Sequence, residues 1–324
     1  MSQLNWTEAQ WNRVNSAITE EFTKASVAGA CLPCYGPVGA SMEAVSKQQF
    51  SFDPTTTVID IDDKLTTPFR TIRVYVSLNS EQVADENLSS ALFAFKRAAN
   101  LLARMEDYLV FVGQNASTAP MLSLAGGGGR PIVPSQLANV NTSTNLSAPG
   151  LLTDSGIKKN YIPVRPDSAS PANPPTTSRP AARRKGSVAS ANQPTNTYGE
   201  SLVTNIALAI TELEKKGYPG PFACVLGQNA FVEAHRPSAG SLVLPADRIT
   251  PMIGGPLLRS GSMPQDYGVV ASSCGESLDI VVATPPKAQF LQVTGDAKYA
   301  FRVYERFILR IKDPDAVVPI RLVP

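Results

Sequence analysis

Residues 87–113 read NLSSALFAFKRAANLLARMEDYLVFVG, and the placement of their apolar side chains decides how the rest of the chain is organised. Leu88, Leu92, Phe95, Ala99, Leu102, Met105 and Leu109 recur every three or four residues, the spacing that lines one face of an α-helix. A helix over 87–109 is predicted, the longest in the chain and the spine of its core. The adjacent carboxylates Glu106 and Asp107, like Asp62 and Asp63, share no recognisable cleft in the sequence, so they are expected to be solvated or paired with Arg and Lys.

Toward the N-terminus, Thr7-Glu8-Ala9-Gln10 fits a capping box, in which the Thr7 hydroxyl and the Gln10 side chain satisfy free amides reciprocally. Trp6 and Trp11 flank the box at the two positions of a hydrophobic staple, and Trp11, Val14, Ile18 and Phe22 continue an apolar face at helical spacing. That face either packs on its own domain or leaves part of itself open to a partner peptide. Residues 29–39 contain Cys31-Leu32-Pro33-Cys34-Tyr35-Gly36-Pro37 and break the helix. Residues 50–78 read as extended, with Val58-Ile59-Asp60-Ile61-Asp62 and Thr71-Ile72-Arg73-Val74-Tyr75-Val76 alternating or β-branched, and with Pro54 and Pro68 bounding the ends. A long hairpin arm is predicted there, and a two-stranded ribbon needs a surface to pack on.

Toward the C-terminus, Leu202, Ile206, Ile210 and Leu213 mark a second helix over 200–216, ending at Lys215-Lys216-Gly217 with a cationic last turn and a glycine stop. Strands are predicted at 222–226, 268–271, 278–283, 290–293 and 299–312. The last places Phe307, Leu309 and Ile311 on one face and Arg306, Arg310 and Lys312 on the other. Helices and strands are mixed without regular alternation, so the class is α+β. Between the two helices, residues 126–197 open on four glycines and are rich in Pro, Ser, Thr, Asn and Ala. Residues 166–197 hold no core aromatic, which predicts a flexible insertion, locally basic through Arg179, Arg183, Arg184 and Lys185. That basic run is read as a solvated segment, with an acidic or nucleic-acid partner as the alternative.

Chemistry is sparse. With a single histidine, His235, acid-base and metal chemistry are severely limited. There is no HExxH, GxSxG or GxxxxGK[ST] pattern. Cys31 and Cys34 form half of a redox or zinc motif; Cys224 sits in an apolar strand and Cys274 is solitary, so the thiols are expected to be buried or idle, with redox or metal use as rivals. No catalytic residue, cofactor or metal is expected. The chain of 324 residues carries 43% apolar and only 17% charged residues, which implies that much of its surface is covered by copies of itself. A net charge of +2, no apolar run long enough for a membrane span and a polar start without signal-peptide regions predict a cytoplasmic protein with no membrane partner.

Four separated segments carry a common pattern: Tyr35-Gly36-Pro37-Val38-Gly39-Ala40 after the Trp11 helix; Glu106-Asp107-Tyr108-Leu109-Val110-Phe111-Val112-Gly113; Gly217-Tyr218-Pro219-Gly220-Pro221-Phe222 with the strand to Gly227; and Phe301-Arg302-Val303-Tyr304-Glu305 with Leu309-Arg310-Ile311-Lys312-Asp313-Pro314-Asp315-Ala316. In this order and spacing, over 1–125 and 198–324, they resemble the encapsulin shell proteins, linocin-like chains that share the capsid fold of HK97-type phages.

The resemblance implies an N-terminal helix and turn (1–49), an E-loop that pairs with a neighbour (50–75), a P-domain with the spine helix (76–125) and a second helix (198–221), an A-domain (222–276) and C-terminal strands (277–324), interrupted by the 126–197 insertion. It implies many copies closing into an icosahedral nanocompartment, with a cargo enzyme held by a short peptide against Trp11, Val14 and Ile18. His235, Arg236, Ser238 and Gly240 would line a pore. A phage major capsid protein packaging DNA is the rival of the same fold. An N-terminal scaffolding extension, frequent in capsid proteins, is not expected where a capped helix begins at Thr7.

Overall fold

The structure, a computed structural model, describes residues 4–53, 58–114, 148–167, 197–237, 241–273 and 277–324. Its first helix, α1 (Glu8–Ala25), begins at the predicted box: the Thr7 N–H donates to Gln10 Oε1 at 2.9 Å and the Gln10 N–H to Thr7 Oγ1 at 3.3 Å. There follow α2 (Ala28–Cys31), β1 (Cys34–Tyr35), β2 (Ala44–Ser46), β3 (Gln49–Asp53), β4 (Val58–Asp62), β5 (Thr66–Pro68), β6 (Arg70–Leu78), α3 (Ser80–Ala84) and the spine helix α4 (Ser89–Phe111). After β7 (Gly113–Gln114) and β8 (Ala148–Pro149) come a 3₁₀ turn (Ile157–Asn160), β9 (Ile162–Val164) and α5 (Gly199–Lys215). The remainder is β10 (Phe222–Leu226), α6 (Gln228–Ala234), α7 (Pro245–Ile253), β11 (Gly254–Arg259), β12 (Tyr267–Ser272), β13 (Leu278–Val293), β14 (Tyr299–Ile311) and β15 (Val317–Leu322).

Two sheets organise these elements, in the order β1-β13-β14-β6 and β11-β10-β12-β15-β9. On the first, Ile72, Val76, Phe301, Val303 and Phe307 face α4 and α1 and form the main core with Phe95, Ala99, Leu102 and Met105 of the spine. The second sheet is a shared wall. Ala223 and Val225 of β10 enter the main core, while Phe222, Cys224 and Leu226 enter a second core built with α5, α6 and α7. Burial on both faces explains why that strand reads as an unbroken apolar run.

Three expectations are corrected. The strand at 70–78 is not part of the arm: β6 pairs with β14, with Val76 opposite Phe301 and Val74 opposite Val303, so its alternate apolar side chains are held by the core. The arm is instead the hairpin β3–β4, with Phe50 opposite Ile61 and Ser51 opposite Asp60, rooted on the short pair β2–β5.

The second correction concerns the insertion, because residues 148–167 are built into the fold. Leu151, Ile157 and Val164 are fully buried, and β9 extends the second sheet beside β15. This segment also completes the spine helix, whose last carbonyls need outside donors: the Leu151 N–H donates to Val110 O at 2.9 Å, the Leu152 N–H to Phe111 O at 2.8 Å, and the Thr153 hydroxyl to Val112 O at 2.7 Å. Such an approach requires glycine on both sides. A Cβ on Gly113, whose φ is +80°, would overlap the backbone of Ala148–Gly150, and one on Gly150 would overlap that of Phe111–Gly113.

Finally, α5 does not pack with the spine. Leu202, Ile206, Ala209 and Leu213 lie in the second core, because that is where the apolar side of the shared sheet remains open.

Candidate functional site

The apolar face of α1 is largely consumed by its own chain. Val14 and Ile18 are completely buried in the main core. They anchor the helix and cannot receive a peptide, which corrects the reading of the whole face as a docking site. Trp11 is only partly buried and closes an aromatic cluster: Trp6 and Trp11 meet edge to face at 5.1 Å between centroids, and Trp6 stacks on Phe301 at 5.1 Å. The Trp6 Nε1–H donates to Val83 O at 3.0 Å, which fixes the entry of the chain into α1. On the outward side of α4, Phe93 is 75% exposed, the largest uncovered aromatic surface of the described chain.

Beneath α1 the two acids of the spine are buried, contrary to the expectation of solvated carboxylates. Asp107 accepts hydrogen bonds from the Val27 and Ala28 amides at 2.9 and 2.7 Å, and Glu106 accepts one from the Ser26 hydroxyl at 2.9 Å. Burial, with the Asp107 charge alongside, pushes the Glu106 carboxyl up to about 8, and burial pushes Asp107 up to about 7. Glu305, which points from β14 toward the same region, is raised well above the usual carboxylate range by burial and by Glu106. With Glu106 and Asp107 each 2% exposed, this cluster serves as a clasp between the end of α1 and the spine.

The Cys-x-x-Cys pair lacks the features of a reactive thiol. Cys31 is buried and Cys34 exposed, and burial together with nearby carboxylates raises both thiols instead of lowering them. Cys224 is pushed up to about 12 by burial alone. Among the described residues no group of three or more His, Cys, Asp or Glu side chains could hold a metal ion. Cys274 lies outside the described residues, as do Arg179, Arg183, Arg184 and Lys185.

At the proposed pore, the structure places His235 at the end of α6, its ring 4.2 Å from that of Phe231, followed by Arg236. The Arg236 guanidinium is bound to Glu233 at 2.8 Å, which offsets the anion preference its charge would otherwise confer. Ser238 and Gly240 lie outside the described residues. Beyond them Leu242 and Val243 are exposed.

The arm is the remaining feature. Phe50 donates its N–H to Lys312 O at 2.9 Å and Lys47 donates to Leu65 O at 2.7 Å, so the root is fixed to the body. At that root Phe50, Ile61 and Leu65 are exposed. Sequence reasoning missed the ion pair behind the root, in which Arg310 donates to Asp279 at 2.9 and 2.6 Å with Lys312 at 3.0 Å. Its signal was faint: a lone acid in an apolar strand opposite an Arg in another.

A spine helix laid on one sheet, a second layer of helices on a shared sheet and a projecting hairpin define the HK97-type capsid fold. The fold is similar to a virus-like particle from Pyrococcus furiosus, with a TM-score of 0.61 at 15% identity, covering 97% of this chain and 100% of that one. It is also similar to the capsid of Myoviridae Phage XM1, with a TM-score of 0.51 at 14% identity, covering 92% and 91%. Residues 2–165 and 183–308 match the Linocin_M18 family, described as encapsulating protein for peroxidase, and the chain belongs to that family of encapsulin shell proteins. The type 1 encapsulin shell protein EncA of Myxococcus xanthus (strain DK1622) is 24% identical over 323 residues, 96% of this chain and 91% of that protein. The family match breaks only between 165 and 183 within this span, a much shorter departure than the 126–197 insertion expected from composition.

Proposed function

We propose that many copies of this chain close into an icosahedral nanocompartment around a cargo protein, and that the chain itself performs no catalysis. One observation carries the proposal: the β3–β4 arm leaves Ile61 55% exposed beside Phe50, with Leu65 51% exposed just past the end of β4, on a two-stranded ribbon that a single copy does not cover. Ribbons of this size are marginal in water unless packed, and a repeated subunit supplies the same packing surface to every arm. Membership in the encapsulin family supports the same reading. No helix among the described residues is long and apolar enough to cross a membrane, in keeping with a protein working in the cytoplasm.

Cargo would be held by a short peptide on the inner wall. Of the three residues first considered, Trp11 alone keeps surface to offer, so the docking site is proposed along the outer edge of α1 with Trp11 at its border. Particles purified from the native cell and treated with protease test this function. A co-purifying protein that survives digestion until the particle is opened is the expected result. Particles that instead hold DNA resistant to nuclease would identify the chain as a phage-type capsid protein.

A further inference from the structure

Arg70 stands where the pattern of its strand calls for an apolar residue. On β6 it shares with Ile72 and Val76 the face that enters the main core, it lies opposite Phe307, and it is only 5% exposed. Burial lowers the guanidinium from its ordinary value, yet an arginine stays charged in a protein, so a partly desolvated cation is held there. Arg70 interacts within its own chain, and the five N–H donors of a guanidinium let it hold more than one acceptor.

Arg70 lines a cavity of about 210 Å³ between the base of the arm and the end of the spine helix. Its apolar walls are Leu109 of the spine, Pro149, and Phe307, Leu309 and Ile311 of β14. Its polar lining adds Lys47, Thr66 and Thr67, which belong to the segment that roots the hairpin. The Lys47 Nζ reaches Gln49 Oε1 at 3.5 Å and forms no ion pair among the described residues. One acid, Asp154, also lines the cavity, but its carboxylate accepts the Gly156 and Ile157 amides at 2.8 and 3.2 Å. Arg70 and Lys47 against Asp154 leave one positive charge in excess on a mostly apolar wall, the composition of a site for a small amphipathic anion.

We propose that this cavity binds a small monocarboxylate with an apolar body, its carboxylate on Arg70 and Lys47 and its body against Leu109, Phe307 and Ile311. A guanidinium meets a carboxylate in planar two-point geometry, and one negative charge matches the excess. A water molecule's share of liquid volume is about 30 Å³, so the cavity admits about seven non-hydrogen atoms or slightly more, the size of a six-carbon acid. The site belongs to the folded subunit and holds whether or not copies close into a shell. An occupant touches both the arm base and the spine, so binding is expected to slow amide exchange over residues 44–68.

The test is a calorimetric titration of the full-length protein with hexanoate, expected to bind once per chain with a Kd of about 0.1–1 mM, the range open to so small a ligand. Hexanol, with the same body and no charge, and inorganic phosphate, with charge and no body, are each expected to bind about tenfold more weakly or worse. Arg70→Met keeps an unbranched side chain, removes the cation, and is expected to weaken hexanoate by about tenfold or more. Thr67→Trp fills the cavity from its half-buried rim without touching the buried cation and is expected to abolish binding, so the proposal stays testable if Arg70→Met does not fold. A hexanoate analogue carrying a diazirine, photolysed on the unmutated protein, is expected to label peptides containing residues 66–70, 109 or 149. Hexanol binding as tightly as hexanoate would make the cavity a plain apolar void, and phosphate binding as tightly would make it a general anion site; either overturns the proposal. So does the lack of saturable binding up to about 10 mM hexanoate, or a label placed elsewhere on the chain.

Discussion

The Ser26 hydroxyl donates to the Glu106 carboxyl at 2.9 Å across a separation of eighty residues, and both groups are buried. This contact ties the end of α1 to the spine helix through an acid that burial holds protonated into the neutral range. Together with Asp107, it makes the joint between the N-terminal segment and the core sensitive to pH.

The pH dependence has a definite sign. The folded state binds the protons of Glu106 and Asp107 more tightly than the unfolded chain, whose carboxyls titrate near 4, so the stability these two groups contribute is greatest in acid and falls as pH rises toward about 7 to 8. Each proton held in this way contributes a slope of about 1.4 kcal/mol per pH unit between the two pKa values. Melting temperatures of the wild-type and Glu106→Gln proteins, measured from pH 5 to 8.5, are expected to diverge, with the variant losing less stability on the alkaline side. Parallel curves would show that Glu106 is ionised throughout.

The aromatic cluster under α1 carries much of the joint. Phe301 is fully buried with Trp6, Phe95 and Phe290 within 5.4 Å between centroids. Phe301→Ala is expected to cost about 3–5 kcal/mol, as large-to-small changes in packed cores do. Trp6→Phe keeps most of the packing but removes the indole hydrogen bond to Val83, an expected loss of about 0.5–1.5 kcal/mol. Denaturant unfolding of the two variants checks this ranking.

Asp279 faces Arg310 with both side chains almost wholly buried, 6% and 7% exposed. Asp279→Ala strands a buried guanidinium, and such half-broken pairs cost about 3–5 kcal/mol. The exposed pair Lys215–Glu212 makes a control, since Glu212→Ala is expected to leave the unfolding curve unchanged. Equal effects at the two sites would contradict the assignment of the first as a structural pair.

Deletions separate passenger from scaffold. The Asp167 N–H donates to Thr197 O at 2.7 Å, so the ends flanking 168–196 lie side by side, and a short Gly-Ser linker can replace the intervening residues. That deletion is expected to leave soluble expression and assembly intact. Removing 130–197 takes away Leu151, Leu152, Ile157 and Val164 with the donors that cap the spine, and is expected to abolish folding. Size-exclusion profiles of the two truncated proteins decide the matter.

These deletions mark where sequence reading succeeded and where it stopped. The capping box at Thr7, the spine periodicity from Leu88 to Leu109 and the strand at 222–226 follow from local rules, and each element lies where those rules put it. Long-range pairing does not follow from them. Thr71–Val76 has the composition of an arm strand, and only the matching alternation of Phe301 and Val303 on a strand far along the chain claims it for the sheet. Glu106 and Asp107 have the charge of surface residues; their burial depends on Ser26 and on the amides of Val27 and Ala28, which nothing in the local sequence announces. Val14 and Ile18 were legible as an apolar face but not as one already occupied, because periodicity says which side is apolar and not what covers it.

The central claim is that this chain works as one of many copies in a closed shell. Negative-stain electron microscopy of the purified full-length protein at physiological salt tests it most directly. Uniform closed particles with icosahedral outlines are the expected result; a field of monomers or small open oligomers, at concentrations where the protein is folded, would contradict it.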